Sequence, residues 1–539
     1  MEKYYSVLLD RIETIRDRNQ STENITTIAG ALAAIGFATY CIKRLFSKDK
    51  KTKTKQAKEY ETIPSPKGAI YYLGHTPLLG KIPAHRITEW HRQLGPILRI
   101  QMGVQDWVFI SDPYMAHDLF ATQGTITSGR PYLTFGNGIA GIGGRGIVFA
   151  DYGKKWKNAR TAILKILSPK SVDGYESTIE CEVERTVQQL IEQTKMHGYV
   201  NPIPFVRCLS MNIILQVGFG ISGVSSPDDP LFKELVHIIK TSLYFTGAFR
   251  DMSTYFPFFS FLDVIFRRKQ KMKAFFYNDY FPLFQRLVKM ARESDQDNLV
   301  KKIDNIKDDL EIDDRNLTAI MSEVLIAGGD TVSVAASFTF AILCHYPDIQ
   351  QKLANEIDDF IRKYHRIPRF DDRLELPYYI AFQKECLRYR PAVYFSIPRK
   401  ANQDVIYKHF IIPKGTIMVS NIHTLHNDST IFPHPEKFIP ERFLNDTRTM
   451  YASSNGNIQN RDIYLFGWGR RICPGIYLAE NELFNLVTKV MARCKIEPTI
   501  SPTGEAIYPD LNDFKDDGAT LVPSPFYIHF TERENKLVF

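Results

Sequence analysis

A chain of 539 residues, 44% apolar and 12% aromatic, carries enough apolar material for a large core, which excludes a disordered or low-complexity protein. The formal charge of +8 does not mark a nucleic-acid surface, because residues 43–58 hold eight Lys/Arg against one Asp and the rest is near neutral. Seven scattered cysteines without a Cys-x-x-Cys pair exclude a disulfide framework or zinc knuckle and suit a reducing compartment.

In chain order, residues 1–24 have nearly balanced charge, and Leu8, Ile12 and Ile15 share one face at helical spacing. Either a short amphipathic helix or a solvated leader gives that pattern. Residues 25–42, ITTIAGALAAIGFATYCI, carry no charge and stand at the short end of a membrane-spanning helix. Extending the span to Phe46 lets Lys43 and Arg44 snorkel at the boundary. The basic run that follows places the rest of the chain in the cytosol and the leader in the lumen. A cleaved signal peptide fits less well, since the cationic cluster comes after the apolar run. Residues 63–80 are rich in Pro and Gly and read as a hinge. The expected organisation is thus a lumenal segment 1–24, an anchor 25–46, a linker 47–80 and one catalytic body 81–539.

Within the body, helical patterns cover 84–94, 113–123, 154–167, 175–197, 316–346, 347–364 and 377–389, with strand-like runs at 97–103, 107–111 and 411–421. This predicts a mainly α fold with small β-sheets. Residues 242–284 are about one-third Phe or Tyr. They supply core, and the run YFPFFSFL (255–262) is either core or an apolar surface dipping into a membrane.

Four stretches carry chemistry. Residues 466–475, FGWGRRICPG, place a lone cysteine among glycines and arginines before a helix. A thiolate needs stabilising charge and backbone N–H groups. Glycines let the backbone approach a flat ligand, and the arginines can pair with an anionic group on its edge. One axial thiolate to haem iron requires such a loop. Glu385 and Arg388 in KECLRYRP share a helix face, as do Trp156 and Arg160 in WKNAR. In residues 316–346, an otherwise apolar helix contains Gly328-Gly329-Asp330-Thr331. The glycines permit distortion and the close approach of a small ligand, and an acid beside a hydroxyl in apolar surroundings needs partners. His423, His426 and His434 could suggest zinc, but no base or fourth ligand stands at the required spacing.

FGWGRRICPG resembles the haem-binding signature of the cytochrome P450 superfamily, Phe-x-x-Gly-x-Arg-x-Cys-x-Gly, with Phe466, Gly469, Arg471, Cys473 and Gly475 in every fixed position. The resemblance runs over about residues 63–531. It implies haem b (iron protoporphyrin IX) with Cys473 as axial ligand to the iron, Arg471 on a propionate and Phe466 packed near the sulfur. Trp156, Arg160 and Arg399 are implied as further propionate contacts. Glu385 and Arg388, with Arg442 from PEKFIPERF, resemble the family's structural ion-pair set. AGGDT resembles its oxygen-activation motif, which makes Thr331 and Asp330 the catalytic pair. Lys154, Lys155, Lys157 and Lys165 form either an ordinary solvated face or a cationic surface, on the same side as Cys473, that docks an acidic electron donor.

The implied function is monooxygenation of an apolar small molecule, with electrons from NADPH through cytochrome P450 reductase and with cytochrome b5 as a further partner. The implied setting is a single-pass anchor in the endoplasmic reticulum membrane, in contact with lipid and without nucleic acid. A reductase-independent peroxide-rearranging enzyme and a non-catalytic haem-binding protein are the rivals; the intact Asp330-Thr331 pair and the full set of propionate residues speak against them. The substrate wall is expected from residues 134–145, the aromatic stretch, Ala327, 391–397 with Val393, Tyr394 and Phe395, and 520–522. The His-Thr-Ser run of sterol 14α-demethylases is missing from AGGDT.

Overall fold

The computed structural model describes residues 60–247, 251–516 and 520–534. The leader, the anchor and the basic half of the linker lie outside the described residues, as do 248–250 of the aromatic stretch.

The longer helices are α1 (Pro83–Leu94), α2 (Lys154–Ile166), α3 (Glu176–His197), α4 (Ile203–Phe219), α5 (Pro230–Thr246), α6 (Phe281–Glu293), α7 (Asp314–His345), α8 (Pro347–Tyr364), α9 (Pro377–Tyr389) and α10 (Ile476–Arg493). Most are amphipathic; α8, for example, buries Ile349, Leu353, Ile357, Phe360 and Ile361 on one stripe and exposes its charges. By contrast α4 and α7 are apolar on nearly every face, and they pack along one another at the centre of the main core. Helix α7 starts where the Asp313 side chain accepts from Asn316 N, an N-cap that satisfies one free amide. It is long and apolar enough to cross a membrane, but 78% of its apolar window is buried, so it is a core helix.

The main sheet has the order β1 (Ile97–Met102), β2 (Gln105–Ile110), β6 (Ile417–Ser420), β3 (Arg399–Lys400). β1–β2 is an antiparallel hairpin, β6 lies parallel to β2, and β3 is antiparallel to β6. β4 (Val405–Tyr407) and β5 (Phe410–Ile412) form a separate hairpin. The run 411–421, read as one strand, is therefore split between two sheets, because Gly415 turns the chain at φ +89°. Nearer the C-terminus, β7 (Cys494–Ile500) pairs with β8 (Ala506–Ile507) and β11 (Ile528–Glu532), while β9 (Phe514–Asp516) pairs with β10 (Leu521–Pro523).

One expectation changes and another is narrowed. Residues 60–80 are docked on the body: Arg99 N donates to Pro64 O, His75 N to Gln101 O, and Tyr72 is buried among Trp107, Tyr255 and Phe256. The Pro/Gly composition serves tight turns over the sheet there, not a free hinge. Of the aromatic stretch, Tyr255 and Phe256 pack on the sheet, and Phe275, Phe276, Tyr280 and Phe284 enter the main core, while Phe266 is 64% exposed.

Candidate functional site

The cysteine loop is held by its own backbone and by cations beneath it. Cys473 N donates to Phe466 O at 2.8 Å, which closes the loop before α10 begins. Gly469 has φ +50°, and a Cβ there would fall 2.6 Å from Phe120 O and 2.7 Å from Ala121 Cα, so no other residue fits without shifting the backbone. Arg461 donates to Gly467 O and lies 3.8 Å over the Trp468 ring, and Trp468 Nε1 donates to Ser420 Oγ at 3.1 Å. The loop is thereby tied to the main sheet. Burial raises the Cys473 thiol; a hydrogen bond from Gly475 N–H and the charge of Arg160 act in the opposite sense. Those two groups stabilise a thiolate once a metal displaces the proton.

Four arginines that include the three expected ones are buried or half-buried around this loop, and each donates to backbone carbonyls. Arg471 donates to Ser128 O (2.9 Å), Ile147 O (3.0 Å) and Ala150 O (2.8 Å), and stacks 4.2 Å from the Trp156 ring. Trp156 Nε1 shares Ile147 O at 3.0 Å. Arg399 donates to Phe120 O (3.1 Å) and Trp468 O. Arg160 donates to Ile472 O, next to the cysteine. The fourth, Arg130, was not singled out from the sequence; it donates to Val148 O (2.7 Å), Ile397 O (2.9 Å) and Pro398 O (2.8 Å).

Among the described residues none of these four guanidiniums has a carboxylate within 4.0 Å. Burial, then the charge of Arg399, brings Arg130 down to about 9. Burial, then Arg130, brings Arg471 down to about 8. Arg399 falls to about 9 through burial, Arg471, Arg461 and Arg160. Buried cations that repel one another are costly unless an anion joins them. A flat ligand carrying carboxylates and a thiolate-seeking metal supplies the missing charge, so these residues fit haem.

Glu323, also unremarked in the sequence, is the acid that braces this cradle. From α7 it accepts Ile147 N (2.5 Å) and Val148 N (3.0 Å), so the loop whose carbonyls face the arginines has its amides on Glu323. Burial pushes its carboxyl up to about 7. The argument that an acid in an apolar helix needs partners, applied above to Asp330, holds equally for Glu323 seven residues earlier.

Glu385, Arg388 and Arg442 meet as expected. Arg388 Nε and Nη2 clasp Glu385 at 2.7 and 2.8 Å, and Ile439 N donates to the same carboxylate at 2.8 Å. Arg442 Nε lies 3.1 Å from Glu385 Oε2, close enough for an ion pair but without hydrogen-bond alignment. Glu385 is 0% exposed.

On α7, Ala327 and Thr331 are exposed on a helix whose neighbouring residues are buried or half-buried, and Thr331 Oγ1 donates to Ala327 O at 2.8 Å. One face of the helix centre is therefore left uncovered by the protein's own side chains. Gly328 and Gly329 do not distort the helix, which is continuous over Asp314–His345. A Cβ at Gly328 would stand 3.0 Å from Ile214, and one at Gly329 3.2 Å from Met211, so the glycines admit α4 rather than a small ligand. Asp330 points away from Thr331 and is 3% exposed. Arg207 Nη2 donates to its Oδ1 at 3.2 Å and Thr520 Oγ1 to its Oδ2 at 2.7 Å.

Of the expected wall, Tyr394 stands edge-on to His423 at 4.6 Å and Phe395 to Phe109 at 5.6 Å. Lys154 is paired with Glu311 at 2.6 Å and Lys155 donates to Gly143 O at 2.9 Å, while Lys157 and Lys165 are exposed. His423, His426 and His434 do not converge; among the described residues no three metal-binding side chains do.

The cytochrome P450 family model matches residues 64–527. Cytochrome P450 monooxygenase 58 of Postia placenta is 27% identical over 482 residues, covering 87% of this chain and 88% of that protein. Cytochrome P450 monooxygenase yanC of Aspergillus niger is 28% identical over 488 residues, covering 87% and 89%. A zebra fish cytochrome P450, in a structure with progesterone, shares the fold at a TM-score of 0.67 and 22% identity, over 84% of this chain and 99% of that one. The chain belongs to the cytochrome P450 family, whose cofactor is haem, and is an enzyme of the monooxygenase type.

Proposed function

We propose that this chain is a haem-thiolate monooxygenase that places one atom of dioxygen into a C–H or C=C bond of an apolar small molecule. The observation that carries the reading is the convergence of Cys473 with four arginines that, among the described residues, have no carboxylate within 4.0 Å. Haem, when bound, supplies the iron at which dioxygen is cleaved, one atom entering substrate and the other leaving as water with two protons and two electrons; thiolate donation favours that cleavage.

The protein's own residues divide the remaining work. Cys473 is the iron ligand, Gly475 N–H and Arg160 stabilise its charge, and Gly469 and Phe466 fix the loop. Arg130, Arg160, Arg399 and Arg471, with Trp156, hold the carboxylates. Glu385, Arg388 and Arg442 lock the fold beside the loop. Thr331 carries a hydroxyl on the exposed face of α7, and Asp330 is the acid that helps relay protons from solvent.

Electrons come from NADPH through a separate flavoprotein reductase, with cytochrome b5 as a second donor, and the exposed Lys157 and Lys165 suit an acidic donor surface. Residues 25–46 anchor the chain in the endoplasmic reticulum membrane, residues 1–24 lie in the lumen, and the body faces the cytosol.

The test is the spectrum of the reduced, carbon-monoxide-bound protein. It is expected to show the red-shifted Soret band of thiolate ligation, which Cys473→Ala abolishes. A histidine-type spectrum in the unmutated protein would overturn the reading. Peroxide-supported turnover with no response to reductase would favour the rearranging alternative.

A further inference from the structure

Residues 143–150 run between α7 and the arginine cradle, with their backbone bonded to opposite charges on the two sides. Three successive amides face α7: Gly146 N donates to Asn316 Oδ1 at 3.0 Å, and Ile147 N and Val148 N donate to Glu323 Oε2. Such a run of amides makes a concavity for an anion, here filled by the Glu323 carboxylate. The carbonyls face cations instead. Ile147 O receives Arg471 and Trp156, Val148 O receives Arg130, and Ala150 O receives Arg471. Residues 141–153 contain no helix or strand, so these side-chain bonds take the place of regular pairing.

The outer end of this segment is held only by separable polar ties. Arg145 clasps Asp313 at 3.2 and 2.7 Å, and Lys155 Nζ donates to Gly143 O at 2.9 Å. Residues 142–144 are exposed. Gly143 and Gly144 have φ of +80° and +76°, and a Cβ on either would meet only the side chains of Arg145 or Lys155. Farther in, Ile147 is the side chain of this segment that enters the main core. By contrast Phe120, Ser128 and Trp468, whose carbonyls receive the same arginines, are each 0% exposed. Within the rim of the cradle, residues 143–150 are therefore the part that opens at least cost.

The plainer reading is a fixed wall. It does not account for two left-handed glycines at an exposed turn where nothing rigid crowds them. Nor does it account for the charges on either side. Glu323 already attracts Arg471 and Arg130 across the segment. Lifting the segment lets acid and cations face one another, so opening strands no buried charge, which is the usual penalty for parting such groups.

We propose that residues 143–150 form a strap that opens from its Arg145 end and is the route by which haem enters and leaves the protein, carboxylate edge nearest the strap. This rests on the haem-thiolate reading above. The Arg145–Asp313 and Lys155–Gly143 ties part first, the Gly146 amide then leaves Asn316, and the amides of Ile147 and Val148 leave Glu323 last. Closing reverses the order, and the carbonyls of the strap return to the cations that hold the haem carboxylates.

The test uses full-length, haem-loaded protein. Excess apomyoglobin reads the rate of haem loss, serum albumin as a weaker acceptor reads the equilibrium partition of haem, and deuterium exchange reads the amides of 146–148. Arg145→Gln, a change confined to the partly exposed outer pair, is expected to speed haem loss about threefold, the order of an exposed ion pair. Asn316→Ala is expected to speed it about tenfold, as for a buried hydrogen bond. Both variants are expected to leave the partition unchanged, because a door alters entry and exit alike, and to speed exchange at 146–148 by the same factors.

An unchanged rate of haem loss in Arg145→Gln overturns the proposal. So does a gain in rate matched by an equal shift in partition, which marks a fixed wall that holds haem. Faster exchange at 146–148 without faster haem loss also overturns it, since the strap then moves but is not the route. If instead the unmutated protein lacks the thiolate spectrum, the haem-thiolate reading falls, while amide exchange in the variants still reports on the ties of the strap.

Discussion

In the cysteine loop and in the Glu385 lock the cations are tied down several times over: Arg471 makes four donations to backbone carbonyls, and Arg388 reaches Glu385 twice and three carbonyls besides. On α7, by contrast, the Asp330 carboxylate has one guanidinium and one hydroxyl, and Thr331 satisfies itself on its own helix. Redundant bonding suits a ligand set that must keep one geometry through a reaction. Sparse bonding suits groups that must exchange partners to move protons. The two sides of the site thus differ in how much each side chain is allowed to change.

On that contrast, perturbing the cysteine side or the Glu323 brace beneath it should damage the fold and cofactor retention, and perturbing Thr331 should damage only the outcome of the reaction. The largest effect is expected from Glu385→Ala, which strands Arg388 as a buried cation and costs about 3–5 kcal/mol; haem content and melting temperature of the purified protein check it. Next is Glu323→Gln. Glu323 titrates near 7 when folded but near its ordinary value when unfolded, so the folded state binds more protons between those values and stability falls as pH rises from about 4.5 to about 7. The Gln variant should lose that slope, worth about 3 kcal/mol at most, in melts taken across that range. The smallest effect on stability is expected from Thr331→Ala: an unchanged carbon-monoxide spectrum and melting temperature, with peroxide release raised about tenfold or more. A Thr331 variant that loses haem, or a Glu385 variant that keeps it and only uncouples, would break the comparison.

What was readable in the sequence follows the same division. Cys473, Arg471, Gly469 and the Glu385–Arg388 pair stand at fixed short spacings within one loop or one helix turn, where local geometry alone brings them together. Arg130, Glu323, Arg207 and Thr520 reach the site only through contacts between distant segments, and no spacing encodes those. Their one visible signal was chemical: a charge in an apolar or Gly-rich stretch, which must find a partner somewhere. The Gly328-Gly329 pair was misjudged for a related reason. A glycine records that something comes close, but not whether the neighbour is a ligand or, as here, Ile214 and Met211 of a second helix. The linker was misjudged from composition, since Pro and Gly mark turns whether or not the turns are packed.

The turn between β1 and β2 has a mechanical consequence. A Cβ at Gly103, which has φ +59°, would lie 2.0 Å from Tyr255 O; Val104 N donates to that same oxygen at 2.9 Å, and Phe258 N donates to the Tyr72 hydroxyl at 2.7 Å. The strand turn, the aromatic segment and the docked N-terminal run are thus clasped at one point. A pull arriving from the N-terminal side meets the Glu61 N–His409 O and Arg99 N–Pro64 O bonds, both 2.8 Å, and then Tyr72, which passes it to Phe258. A single added methyl at Gly103 would act as a wedge in that clasp, and would separate the N-terminal run from the aromatic segment.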